Sequence, residues 1–166
     1  MKVVAGCISV LTYFVFAVIL SAAESALEPA SDSPSPAVVL YNEGTKLVFE
    51  KKFAEAQVKL EAAVAADPLM AAAHNNLAYA LRKQGPANFD VALKQYNRAI
   101  ELNPKLPEPF MYRGVLFIQM GRKADADADL VRLEALKSPL AAELRWVIEN
   151  GREKEPEKFF GVSKAE

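Results

Sequence analysis

From residue 37 onward, apolar and polar positions recur at helical spacing. Leu40, Gly44 and Leu47 stand four and three residues apart, as do His74, Ala78 and Leu81, and Phe110, Gly114 and Phe117. Steps of three and four place side chains on one stripe of an α-helix. A second stripe follows each of these: Ala56, Leu60 and Ala63; Ala92, Tyr96 and Ala99; Ala126, Leu130 and Leu133. The pattern predicts three antiparallel helix pairs, with small residues admitting close approach and large ones filling the space between. Turn signals fall inside the pairs at Lys51-Lys52-Phe53, Gln84-Gly85-Pro86 and Gly121-Arg122. Between pairs, Asp67-Pro68 and Asn103-Pro104 set a capping residue before a proline that opens a helix but cannot continue one. No run of alternating β-branched residues bounded by hairpin turns competes with this reading, so the expected class is all-α.

The stripes also repeat as a block. Corresponding positions of the first stripes are separated by 34 and then 36 residues, those of the second by 36 and then 34, and Pro68, Pro104 and Ser138-Pro139 close the successive units. The arrangement of a large residue, a small one, a further large one, then Ala, an aromatic or Leu, and Pro resembles the tetratricopeptide repeat. The resemblance implies a right-handed α-solenoid of stacked helix pairs, with repeats at 37–70, 71–106 and 107–138 and a capping helix at 139–150. Unit two is two residues longer, and the spacing puts the extra length at Pro86-Ala87. Unit one carries Glu43 and unit three Arg113 where Leu77 stands in unit two, and Leu133 replaces the usual Ala. In the last helix, Leu140, Leu144, Val147 and Ile148 form the stripe, Ser138 caps, Pro139 begins and Gly151 stops. The tail at 151–166 is charged, with Phe159-Phe160 as a pair able to dock.

The start of the chain has a different composition. Lys2 is followed by an uncharged run from Val3 to Ala23, ending in Ser21-Ala22-Ala23 and then Glu24. This is the layout of a secretory signal peptide over 1–23. The run also approaches the length that spans a bilayer, so a membrane anchor is the alternative. Either reading places the remainder outside the cytoplasm, periplasmic or secreted in the first case and membrane-tethered in the second. Val4-Ala5-Gly6-Cys7 is a poor lipoprotein box, because the apolar run follows Cys7 instead of preceding it. Residues 24–36, with Pro29, Pro34, Pro36 and several Ser, read as a flexible linker.

Composition removes several classes of function. A net charge of −1 over 166 residues offers no basic excess for nucleic acid. The single His and single Cys leave little for a metal cluster or a nucleophile–base pair, and no glycine-rich phosphate loop is present. His74 occupies the position of Leu40 and Phe110, which predicts a packed side chain. Asp125, Asp127 and Asp129 step about 200° around a helix from one to the next, so they read as a solvated face. Glu153 and Glu155 read as surface charge. No enzyme, cofactor or metal is expected.

What remains is binding. In proteins of the resembled family, the first helix of each pair lines a concave groove that receives a peptide or a partner helix. The resemblance places Tyr41, Thr45 and Phe49 there from unit one. Unit two gives Asn75, Asn76, Tyr79, Arg82 and Lys83, and unit three gives Met111, Val115, Ile118 and Gln119. Chaperone-binding members of the family hold a carboxylate with a set of Lys, Asn and Arg residues. Only Asn76 matches that set, Tyr41, Thr45, Glu108 and Tyr112 standing at its other positions. Trp146, away from the apolar stripe of the last helix, is a possible second contact or a residue packed beneath the tail. The expected function is therefore an extracytoplasmic scaffold for a protein or peptide partner. A structural subunit assembling through the last helix and tail is the alternative.

Overall fold

A computed structural model describes residues 33–154, and the account below concerns the unit that begins at Ser35. Seven α-helices follow in order: α1 Pro36–Phe49, α2 Phe53–Ala66, α3 Ala71–Lys83, α4 Phe89–Leu102, α5 Pro107–Gln119, α6 Lys123–Ala135 and α7 Leu140–Asn150. No strand occurs among the described residues. Helices α1 and α2, α3 and α4, and α5 and α6 pack as antiparallel pairs, and each pair stacks on the next through α2–α3, α4–α5 and α6–α7. Helices α1, α3, α5 and α7 also touch in succession, so they form one wall of a TPR-like solenoid. The predicted signal or anchor at 1–23 and Phe159-Phe160 lie outside the described residues. Among the described residues, no helix is long and apolar enough to cross a membrane.

The repeated small residues act at the seams. A side-chain carbon added at Gly44 would stand 2.6 Å from Leu60 of α2, and one at Gly114 would stand 2.6 Å from Leu144 of α7. Ala56, Leu60, Ala63, Ala92, Tyr96, Ala99, Ala126 and Leu133 of the second stripes are all buried, whereas Leu130 is only partly so. The extra length in unit two is a 3-10 turn at Pro86–Asn88, where the spacing puts it. Three helices end in one motif. The amides of Lys52, Arg122 and Ser138 donate to the carbonyls of Leu47, Phe117 and Leu133, and Lys51, Gly121 and Lys137 adopt positive φ. The same left-handed residue is thus Gly once and Lys twice; the turn signals at Lys51-Lys52-Phe53 and Gly121-Arg122 fall on two of these ends, and none marks Lys137.

The turns between pairs differ from expectation. Asp67 and Asn103 do not cap helices that open at the following proline. Their side chains accept from the amides of Leu69 (2.9 Å) and Lys105 (3.1 Å), forming tight turns, and α3 and α5 begin later, at Ala71 and Pro107. An Asx turn satisfies the same carboxyl or amide oxygen locally, and this competes with capping. At α7, Ser138 Oγ accepts from the Leu140 amide at 3.2 Å, and Gly151 closes the helix with φ +68°.

Candidate functional site: the concave wall

The wall takes its residues from helices that share faces with both neighbours, so its side chains are mostly enclosed. Tyr41, Asn75, Asn76, Tyr79, Arg82, Met111 and Val115 are buried, Thr45 and Ile118 are half-buried, and Phe49 is 58% exposed at the end of α1. Lys83 is half-buried and Gln119 exposed, so seven of the twelve candidate residues do not line an open trough.

A polar track crosses the first two units. Asn76 Nδ2 donates to Thr45 Oγ at 3.0 Å, and Asn75 Nδ2 donates to Asn76 Oδ1 at 3.1 Å. Burial pushes the Tyr41 phenol up to about 12, against hydrogen bonds with Thr45 and Asn76. At the near end of the track, the buried Asn75 Oδ1 has no hydrogen-bond partner. Helical steps of four and three carry the same stripe on to Tyr79 and Arg82. The Tyr79 ring meets Tyr112 edge-on at 4.9 Å and Phe53 at 6.2 Å, so it joins the units as well as facing the wall.

Arg82 ends the stripe. Its side chain is fully buried, and its guanidinium grips Glu153 with two bonds of 3.0 Å. The same nitrogen that reaches Glu153 Oε2 lies 3.3 Å from Gln119 Oε1, and Lys83 Nζ stands 3.8 Å from the carboxylate. The Tyr79 ring lies beneath the cation at 5.2 Å. Burial opposes the Arg82 charge while Tyr96 and Glu153 favour it, and the net shift is upward. The expectation of Glu153 as surface charge is corrected: it belongs to the wall. No periodic signal marks it, because it follows the last helix and its partner is 71 residues away in sequence.

A second correction concerns Asp129, which is buried at 2% exposure instead of lying on a solvated face. Arg113 Nε and Nη2 donate to its two oxygens at 3.0 and 2.6 Å, and Arg113 Nη1 donates to Asn97 at 2.7 Å. Burial pushes the Asp129 carboxyl up, and the Arg113 bond and charge only partly offset this. Sequence carried a signal for the pair. Asp129 stands three residues after Ala126 and four before Leu133, and Arg113 stands three after Phe110 and four before Phe117. Both charges therefore flank apolar stripes.

His74 is buried as the pattern predicts, with Nε2 3.1 Å from the Pro68 carbonyl and Nδ1 2.7 Å from Gln95 Oε1. Trp146 is half-buried against the core, with Arg152 and Lys154 over its ring at 5.8 and 5.4 Å. The segment that brings Glu153 to Arg82 thus also covers Trp146.

The fold has close parallels among solved structures. The first TPR of Spaghetti (RPAP3), bound to the HSP90 peptide SRMEEVD, aligns with a TM-score of 0.62 and 26% identity over 69% of this chain and 91% of that one. The Arabidopsis OM64 TPR domain aligns at 0.63 and 18%, covering 70% and 96%. The Yersinia enterocolitica type III secretion chaperone SycD, in complex with a peptide of the translocator YopD, aligns at 0.61 and 18%, covering 74% and 93%. No family model matches the chain, and no curated protein matches it significantly. The class defined by fold and wall is a TPR-like helical module.

Proposed function

We propose that this protein is an extracytoplasmic scaffold that binds a protein or peptide partner along the concave wall and carries out no catalysis. The accessible positions of the wall carry the reading. Thr45 and Ile118 are half-buried and Phe49 is exposed, so a hydroxyl and two apolar side chains are within reach of a partner, and an extended peptide offers backbone groups and side chains at matching intervals. The peptide-bound neighbours support the same use of the fold. The uncharged run from Val3 to Ala23 supports the location.

Phe49→Ala is the suitable probe, because Phe49 is 58% exposed at the end of α1. Asn75, Tyr79 and Met111 are buried, so their removal would confound binding with stability. The full chain, tagged at its C-terminus, would be cross-linked in its native envelope and the recovered proteins identified by mass spectrometry. A partner recovered with the wild type and lost with Phe49→Ala, at unchanged thermal midpoint, is the expected outcome. The same proteins recovered with both would remove the wall as the binding surface. Recovery of the chain only from the cytoplasmic fraction, with residues 1–23 intact, would overturn the location.

A further inference from the structure

We infer that the Arg82 end of the wall is a carboxylate-binding subsite, that Glu153 is its resident intramolecular occupant, and that the partner is a peptide that displaces Glu153 with an acidic group of its own. The inference rests on the proposed peptide-binding role of the wall and specifies its chemistry.

Three observations carry it. First, the subsite is built for a carboxylate. The Arg82 side chain is fully buried, both of its terminal nitrogens point at one carboxylate, and Lys83 stands 3.8 Å from the same group. Side-by-side donation of this kind matches the two oxygens of a carboxylate and no neutral group as well. Second, Arg82 cannot be left alone. A guanidinium this enclosed is destabilising without a counter-charge, so anything that removes Glu153 must bring a carboxylate of its own. An apolar or basic peptide would strand the charge and be rejected. Third, the occupant is exchangeable. Glu153 lies beyond the end of α7, after the left-handed Gly151, and has no helical backbone bonds to hold it. The binding subsite is on a rigid helix and its occupant on an irregular segment, which is the arrangement competition requires.

Arg82 stands at the C-terminal end of α3, so a peptide lying along the wall meets the carboxylate subsite at the end of that helix. The subsite does not coincide with the carboxylate-holding positions of chaperone-binding relatives. Glu108 and Tyr112 stand at two of those, and Glu108 would repel an acidic group there.

The test uses the full chain and a phage-displayed library of random dodecapeptides, selected in parallel on wild type, Glu153→Gln and Arg82→Gln, each first checked for native helicity. Selection on Glu153→Gln is expected to enrich peptides bearing Asp or Glu at a fixed position. Those peptides should bind wild type more weakly by on the order of tenfold, the factor expected when about a tenth of molecules have the subsite open, and should lose their acidic preference on Arg82→Gln. Equal affinity for wild type and Glu153→Gln would overturn the competition. Peptides without any acidic preference on Glu153→Gln would overturn the carboxylate subsite while leaving peptide binding by the wall intact. Selection of no peptide by any of the three would remove the wall reading itself. Should Arg82→Gln fail to fold, the first two comparisons still decide the inference.

Discussion

Arg113 and Arg82 stand on successive inner helices, and each holds a carboxylate with two hydrogen bonds, yet the two pairs connect different things. Arg113 reaches Asp129 on α6 and Asn97 on α4, so its bonds tie three helices of one stack together. Both ends of that pair are fixed in regular backbone only 16 residues apart. Arg82 reaches Glu153, 71 residues on and outside any helix. Desolvation is as severe at Arg82 as at Asp129, both side chains being buried. The difference is the alternative open to each pair. The first cannot separate without unstacking helices, whereas the second can separate by releasing a short segment into water. One buried ion pair is therefore a structural tie, and the other is a contact that a competitor can replace.

Breaking the first pair should have the largest effect. Asp129→Ala leaves Arg113 wedged between the Phe110 and Phe117 rings, with its cation 5.8 and 5.6 Å from them and its main acceptor gone. Loss of one partner from a buried pair costs roughly 3 kcal/mol or more, which for a domain of this size lowers the thermal midpoint by about 10 °C. Thermal unfolding followed by circular dichroism checks this. A change under about 2 °C would show that Asp129 is not the tie described here.

A smaller effect is expected where α7 rests on α5. Gly114→Ala puts a carbon 2.6 Å from Leu144 Cδ2 and 3.2 Å from its Cγ, and Leu144 is fully buried and has no free side to move to. Overpacking of this kind costs roughly 1–3 kcal/mol. The displaced α7 carries Glu153 with it, while Arg113, Asp129 and Asn97 lie on other helices. Hydrogen–deuterium exchange should therefore accelerate in α7 and the residues after it before it does in α6. Uniform acceleration across α5, α6 and α7 would mean that the two pairs respond as one unit, and the distinction between them would fail.

How far each region was legible follows from the range of its signal. Helix pairs, seams and the all-α class are written in steps of three and four, so Gly44, Gly114 and the Ala stripes announced them. Register over 34 to 36 residues announced the stacking. The turn at Lys51 was marked but its left-handed residue was not, and the turn at Lys137 was unmarked, because a Lys is tolerated there without being favoured. Asp67 and Asn103 misled because the same side chain serves either a cap or an Asx turn, and backbone geometry decides between them. Asp129 was misread by following its acidic neighbours Asp125 and Asp127 rather than its place beside Ala126 and Leu133. Glu153 had no pattern to read, since nothing local distinguishes it from Glu155. The wall residues were named from family resemblance, but their burial depends on neighbouring units and was not available from any one stripe.

The subtlest expected effect uses the only tryptophan in the chain. Trp146 lies beneath Arg152 and Lys154, the residues on either side of Glu153. Each cation–ring contact contributes about 0.5–1 kcal/mol at a partly exposed site, and the partly exposed Lys154 Nζ–Glu143 ion pair at 2.9 Å adds at most about 1 kcal/mol, so the buried Arg82 pair is the strongest of these ties. Glu153→Gln weakens that pair without altering volume, so the covering segment should lift and water should reach the indole. A red shift in Trp146 emission of a few nanometres is expected, with far-ultraviolet dichroism unchanged because no helix is lost. Asp129→Ala, at a temperature where it remains folded, should leave the emission in place. An unshifted spectrum in Glu153→Gln would mean that the segment is held by contacts other than Arg82, and that the second pair is as fixed as the first. A matching shift in both variants would trace the signal to loosening of the stack, leaving the Arg82–Glu153 contact without independent movement.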